Sequence, residues 1–178
     1  MSTSVNRQPV HPDVVTARNL IDVLGLDISA AIPDSENAEY GAFVSVVGRG
    51  SVRFRVGKLT PTKVGSFVSV WQRAADGSTV PFAAESGADL LVITVREGAH
   101  CGQFVFPRNA LAEHGIMSVA GCGGKRGFRV YPPWSAAQNS QARNSQKWQC
   151  GYFLDLDGEN IDLSLARNLY EPVWPINQ

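Results

Sequence analysis

Apolar and polar positions change period several times along the 178-residue chain. Val14, Val15, Ala17, Leu20, Ile21, Val23 and Leu24 recur at helical spacing, and Gly25 stops the run, which predicts a helix capped by Asp13. Tyr40 to Val47 reads as a strand. Ser51 to Lys58 alternates strictly, with Val52, Phe54 and Val56 on one side and Arg53 and Arg55 on the other. That predicts a half-buried strand presenting its arginines to solvent or to a ligand. Thr60 to Gly65 reads as a turn-rich loop, Phe67 to Trp71 as a strand, and Asp76-Gly77 as a hairpin turn. Asp89 to Val95, apolar on both faces, predicts a buried strand. Gln103 to Phe106 is another, ended by Pro107, and a short helix follows to His114. Phe128 to Tyr131 is predicted as a strand, Ala136 to Gln149 as a polar helix, and the tail from Leu169 as extended chain.

About six strands and three helices, with strands in consecutive runs, predict an α+β fold: one domain with a curved, mostly antiparallel sheet or open barrel and a few short flanking helices. Residues 1–12 read as a flexible arm and residues 13–178 as the domain. The length suits a single domain burying roughly 70% of its unfolded surface. With 44% hydrophobic and 18% charged residues, a wholly disordered chain is excluded. No apolar run approaches the roughly 20 residues of a membrane helix. The start, MSTSVNRQPVHPD, lacks the layout of a secretion signal, so the expected compartment is the cytoplasm. Cys101, Cys122 and Cys150 share no CxxC spacing and are expected as reduced, partly buried thiols.

Charge changes this picture. The chain carries 16 basic and 16 acidic residues, yet Tyr40–Ala75 and His114–Leu154 contain no acid. These two stretches hold Arg49, Arg53, Arg55, Lys58, Lys63, Arg73, Lys125, Arg126, Arg129, Arg143 and Lys147. Folded onto one face, they would form an electropositive surface that a polyanion senses within a Debye length. Lys and Arg neutralise phosphates, and exposed Trp71, Tyr131 and Trp134 would stack on unpaired bases. Gln138, Asn139, Gln141, Asn144, Gln146 and Gln149 add amides able to pair with adenine. The Gly121–Gly127 and Thr60–Lys63 loops are candidate phosphate grips, although the former lacks Walker A spacing. A metal-dependent nuclease is the competing reading, with Glu39 and Asp89 holding Mg²⁺ beside Lys58, and Glu36 and Glu85 as further candidates. His11, His100 and His114 are scattered through an arm, a loop and a helix end, which leaves a zinc site unsupported, and the adjacent His100 and Cys101 would point to opposite faces of a strand, against a nucleophile pair.

One long run resembles the FRxxKxTPTKxGxFVxxWxR core of the MepB family: Phe54-Arg-Val-Gly-Lys-Leu-Thr-Pro-Thr-Lys-Val-Gly-Ser-Phe-Val-Ser-Val-Trp-Gln-Arg73. The resemblance continues through Pro81-Phe82, Asp89-Leu-Leu, Gly102-Gln-Phe-Val-Phe-Pro107 and Gly115-Ile116. It then runs through Gly124-Lys-Arg-Gly-Phe-Arg-Val-Tyr-Pro-Pro-Trp134 and Gln146-Lys-Trp-Gln149, covering roughly residues 36 to 155. It implies a nucleic-acid-binding protein and brings no catalytic residues. The family takes its name from a bacterial operon that also carries a multidrug efflux pump. A small-molecule or nucleotide-binding module linked to drug resistance is therefore a third reading. The leading expectation is a protein binding double-stranded DNA, in preference to RNA, through Arg53, Arg55, Lys58, Thr60, Thr62, Lys63, Trp71, Arg73, Lys125, Arg126, Arg129, Tyr131, Trp134, Gln146 and Lys147. No cofactor is expected, with Mg²⁺ required only for a nuclease; no membrane contact is expected, and the oligomeric state is open.

Overall fold

The computed structural model describes residues 11–33 and 41–176. Its first helix, α1 (Pro12–Val23), starts where Pro12 presets φ and His11 Nδ1 accepts from the Asp13 amide at 3.1 Å. His11, not Asp13, is therefore the cap, and the helix claims the last residue assigned to the arm. Residues 1–10 of that arm lie outside the described residues. The buried Asp13 carboxylate instead receives Arg96 Nε at 2.6 Å.

In chain order the strands are β1 (Ile32–Pro33), β2 (Phe43–Val47), β3 (Gly50–Val56), β4 (Lys58–Thr60), β5 (Lys63–Ser69), β6 (Trp71–Arg73), β7 (Thr79–Pro81), β8 (Leu90–Glu97), β9 (His100–Pro107), β10 (Gly127–Val130) and β11 (Phe153–Asp155). Helices α2 (Arg108–Glu113), α3 (Ser140–Gln149) and α4 (Leu163–Leu169) are interspersed. Six strands form one sheet in the order β1-β2-β3-β8-β9-β11, three form a second in the order β10-β5-β4, and β6-β7 make the hairpin that Asp76-Gly77 predicts. Among the described residues these strands pair antiparallel except β3 with β8. The fold is α+β, and the curved sheet takes the form of two packed sheets.

The central strand β8 explains the layering. Leu90 and Val92 join Val14, Ile21, Leu169 and Tyr170 in a core covered by α1 and α4. Leu91, Ile93 and Val95 join Val68, Phe106, Phe128 and Val130 in a second core beneath the three-stranded sheet. A strand buried on both sides reads as a near-continuous apolar run, here Leu90 to Val95 interrupted only by the buried Thr94. The sheets connect through Gly57, where the chain leaves β3 and enters β4. A Cβ at Gly57 would stand 2.8 Å from Val95 Cγ1 and 2.9 Å from Ser66 Cβ, so only glycine lets the layers meet there.

The predicted extended tail is a correction. Residues 163–169 form α4, with the Asp162 carboxylate accepting from Leu165 N–H at 2.9 Å, and Glu171–Val173 add a 3-10 turn. The cause is packing: Tyr170 and Val173 are fully buried, and the Val173 carbonyl accepts from Arg49 N–H at 2.9 Å. None of the helices in the described residues is long and apolar enough to cross a membrane.

Candidate nucleic-acid interface

Register places the chemistry on the outer face of the β10-β5-β4 sheet. Phe67 pairs with Arg129 on one side and with Lys58 on the other, so these three residues form one cross-strand row. The strand alternates: Val68 and Val70 enter the core, while Lys63 and Phe67 are exposed. The Arg129 guanidinium crosses β5 at Gly65, donating Nη1 to the carbonyls of Val64 (3.3 Å) and Gly65 (3.2 Å) and Nη2 to Thr60 Oγ1 (2.6 Å). Those bonds hold its charge still and give Thr60 its partner. Thr62 and Lys63 stand exposed at the turn between β4 and β5.

Helix α3 is tied directly to β10 by the Gln149 amide. Gln149, 1% exposed, accepts from Tyr131 N–H at 2.8 Å and donates to the Arg129 carbonyl at 2.9 Å. Asn139 caps the helix by accepting from Ala142 N–H at 2.8 Å. Three grooves run along this junction. The first is lined by Thr62, Lys63, Arg129, Tyr131 and Gln138, the second by Lys125, Arg129, Tyr131, Gln141 and His114, and the third by Asn144, Lys147, Gln141 and His114. Neighbouring grooves share residues, so they form one track. Among the described residues no carboxylate lines it. Lys63 comes from the first acid-free stretch and Lys125, Arg129 and Lys147 from the second, so the two stretches meet here.

Other expected contacts go elsewhere. Arg53 and Arg55 lie on the side of β3 that faces the second layer, not solvent. The Arg53 guanidinium lies 3.8 Å from the Phe82 ring centroid; Arg55, 4% exposed, donates to the Phe54 carbonyl at 2.9 Å and the Ser69 carbonyl at 3.3 Å. Arg73 lies 5.6 Å from the Trp71 ring and donates to the Gly77 carbonyl at 3.0 Å; Arg126 donates to Thr79 O at 3.0 Å. These three belong to the β6-β7 hairpin region. Trp134 is not a base platform: its indole donates to Glu97 at 3.0 Å and its ring stacks on His100 at 5.0 Å and against Phe153. The Gln146 amide donates to the carbonyls of Pro132 (2.9 Å) and Ser135 (2.8 Å), securing the start of α3. Trp148 packs on the second core and stacks on His114 at 3.9 Å.

The backbone just before the Gly121–Gly127 loop already holds an anion from within. The Ala120 amide donates to Glu85 at 2.5 Å, and this backbone hydrogen bond holds the Glu85 carboxyl below the usual carboxylate range. The expected nuclease constellation comes apart. Asp89 accepts from Ser51 N–H at 2.9 Å and pairs with Arg108 at the start of β8, whereas Lys58 lies beyond the opposite end of β3. Glu36 and Glu39 lie outside the described residues, and no group of three metal-ligating side chains occurs among the described ones. Burial raises the thiols of Cys101 and Cys150, whereas Cys122 is exposed, unlike the partly buried thiol expected.

Phe67 is the residue that sequence reading missed. Its alternation with buried Val68 and Val70 carries the signal, obscured because the strand start was placed at Phe67 and not at Lys63. Beside this geometry stand the comparisons with known proteins. No curated protein matches the chain. The crystal structure of MepB is similar to it at 33% sequence identity with a TM-score of 0.71, over 81% of this chain and 98% of that one. The model of the MepB-like family matches residues 34–155, enclosing both acid-free stretches, and on this ground the chain belongs to the MepB-like family.

Proposed function

We propose that the chain binds nucleic acid, double-stranded DNA foremost, along the track between the β10-β5-β4 sheet and α3. The observation that supports this most is the track's composition: cations from β5, the loop before β10, β10 and α3, with no carboxylate among the described lining residues. Lys63, Lys125 and Lys147 neutralise phosphates and release their counterions, while Arg129, pinned by its three hydrogen bonds, offers a fixed charge. Exposed Gln141 and Asn144 on α3 are placed to meet base edges or sugars. Trp134 packs away from the track, and Trp148, which lines two of its grooves, has one face covered by His114, so cations outnumber open aromatic faces there. Phosphate contacts therefore outweigh stacking, which favours a duplex over a single strand. Such binding would be exercised in the cytoplasm, where free cysteines stay reduced.

The test is titration of a labelled duplex over a range of salt concentrations. Affinity is expected to fall steeply with salt, and Lys63→Ala and Lys125→Ala each to lower the logarithmic slope by about one. Absence of binding to duplex, single strand and RNA at low salt would refute the proposal.

A further inference from the structure

A cavity of about 350 Å³ opens beside the Lys58–Phe67–Arg129 row, lined by His11, Ala42, Arg55, Lys58, Phe67 and Ser69 among others. It sits where the chain passes from β3 through Gly57 into β4, so both sheets supply walls. Its volume falls near the lower end of the roughly 300–1,000 Å³ of small-molecule sites. The walls are chemically unlike one another. The Phe67 ring, 39% exposed, is a flat apolar surface. Gly127 makes room for that ring, because a Cβ there would stand 2.4 Å from Phe67 Cζ. Ala42 presents little bulk. The Ser69 hydroxyl and the Nε2 edge of His11, whose Nδ1 caps α1, are hydrogen-bonding groups. Lys58, exposed, brings positive charge to the same lining.

A planar heterocycle bearing a phosphate matches this set: ring on Phe67, polar edge toward Ser69 and His11, phosphate toward Lys58. The cavity also shares Lys58 and Phe67 with the row that leads through Arg129 into the acid-free track. We propose that the cavity receives one nucleobase of the bound nucleic acid, turned out of its stack, with Phe67 as the stacking surface. This rests on the nucleic-acid-binding reading above. Taking a base out of a duplex costs a few kcal/mol, least where the base is already unpaired. The site therefore selects duplexes containing an unpaired base.

The experiment compares two labelled duplexes that differ only in one base placed opposite an abasic position. The wild type is expected to bind the duplex with the unpaired base about tenfold more tightly than the fully paired one. Ser69→Met fills the cavity from a position outside the track; it is expected to bring the ratio within about twofold while paired-duplex affinity and salt slope stay at wild-type values. Thermal melting checks that this variant folds. Phe67→Ala, a truncation at an exposed position, is expected to abolish the preference as well and serves if Ser69→Met does not fold. Equal affinity of the wild type for both duplexes overturns the base-receiving cavity and leaves the track reading standing. No binding to any nucleic acid overturns both. A third arm adds nucleoside 5′-monophosphate at salt that abolishes duplex binding. A melting temperature raised in the wild type but not in Ser69→Met is the expected result, and an equal rise in both puts the nucleotide outside the cavity and overturns the proposal.

Discussion

Asp157 is tied twice, by His100 Nδ1 at 2.8 Å and by the Cys101 amide at 2.5 Å, and these bonds, His100 first, hold its carboxyl below the usual carboxylate range. A depressed folded-state value contributes stability above the unfolded value, near pH 4, that is lost as pH falls through the lower folded one. Urea unfolding of wild type and Asp157→Asn is therefore expected to differ at pH 7 and to converge as pH drops below about 4. At this scale the sequence was legible for identity more than for surroundings. The alternation of Arg53 and Arg55 with Val52 and Phe54 read correctly as two faces. What alternation does not report is that a second sheet covers the polar face, turning the arginines toward carbonyls and Phe82. Trp134 misled for a related reason: its partners Glu97, His100 and Phe153 are distant in sequence.

Among the elements, α3 depends on one side chain more than on its own propensity. Asn, Ser and Gln fill it, and its buried positions are Ala142 and Gln149. Gln149→Ala leaves the Tyr131 amide and the Arg129 carbonyl without partners in a buried place, at a cost of about 2 kcal/mol. The expected result is a melting temperature lower by about 4–8 °C, with duplex affinity reduced because the track loses its α3 wall. Long periodic elements such as α1 and β8 were legible because packing and propensity agree. The short strands β4 and β11 and the helix α4 were not. Each has few residues to show a period and owes its form to neighbours: β4 to β5, β11 to β9, and α4 to the core around Tyr170.

For the whole molecule, the decisive join is Gly57. Gly57→Val drives a branched side chain against Val95 and Ser66, where the two layers meet, and overpacking of this kind costs about 1–3 kcal/mol. Its urea midpoint is expected to fall, as followed by the fluorescence of the four tryptophans. Charge segregation was visible in the sequence, but the meeting of the two stretches was not, because it depends on β10 pairing with β5 across the chain.

That pairing also sets an order in time. The acid-free track takes Lys63 from an early strand and Arg129 and Lys147 from segments made far later. At about 5–20 residues per second, synthesis from Lys63 to Gln149 takes on the order of ten seconds. Throughout that interval the growing chain sits beside ribosomal RNA, the densest polyanion near it, with its cations still apart. A cationic track assembled from distant segments is not in place until Gln149 has been made, whereas a contiguous basic helix would present its charge to the ribosome from its first turn.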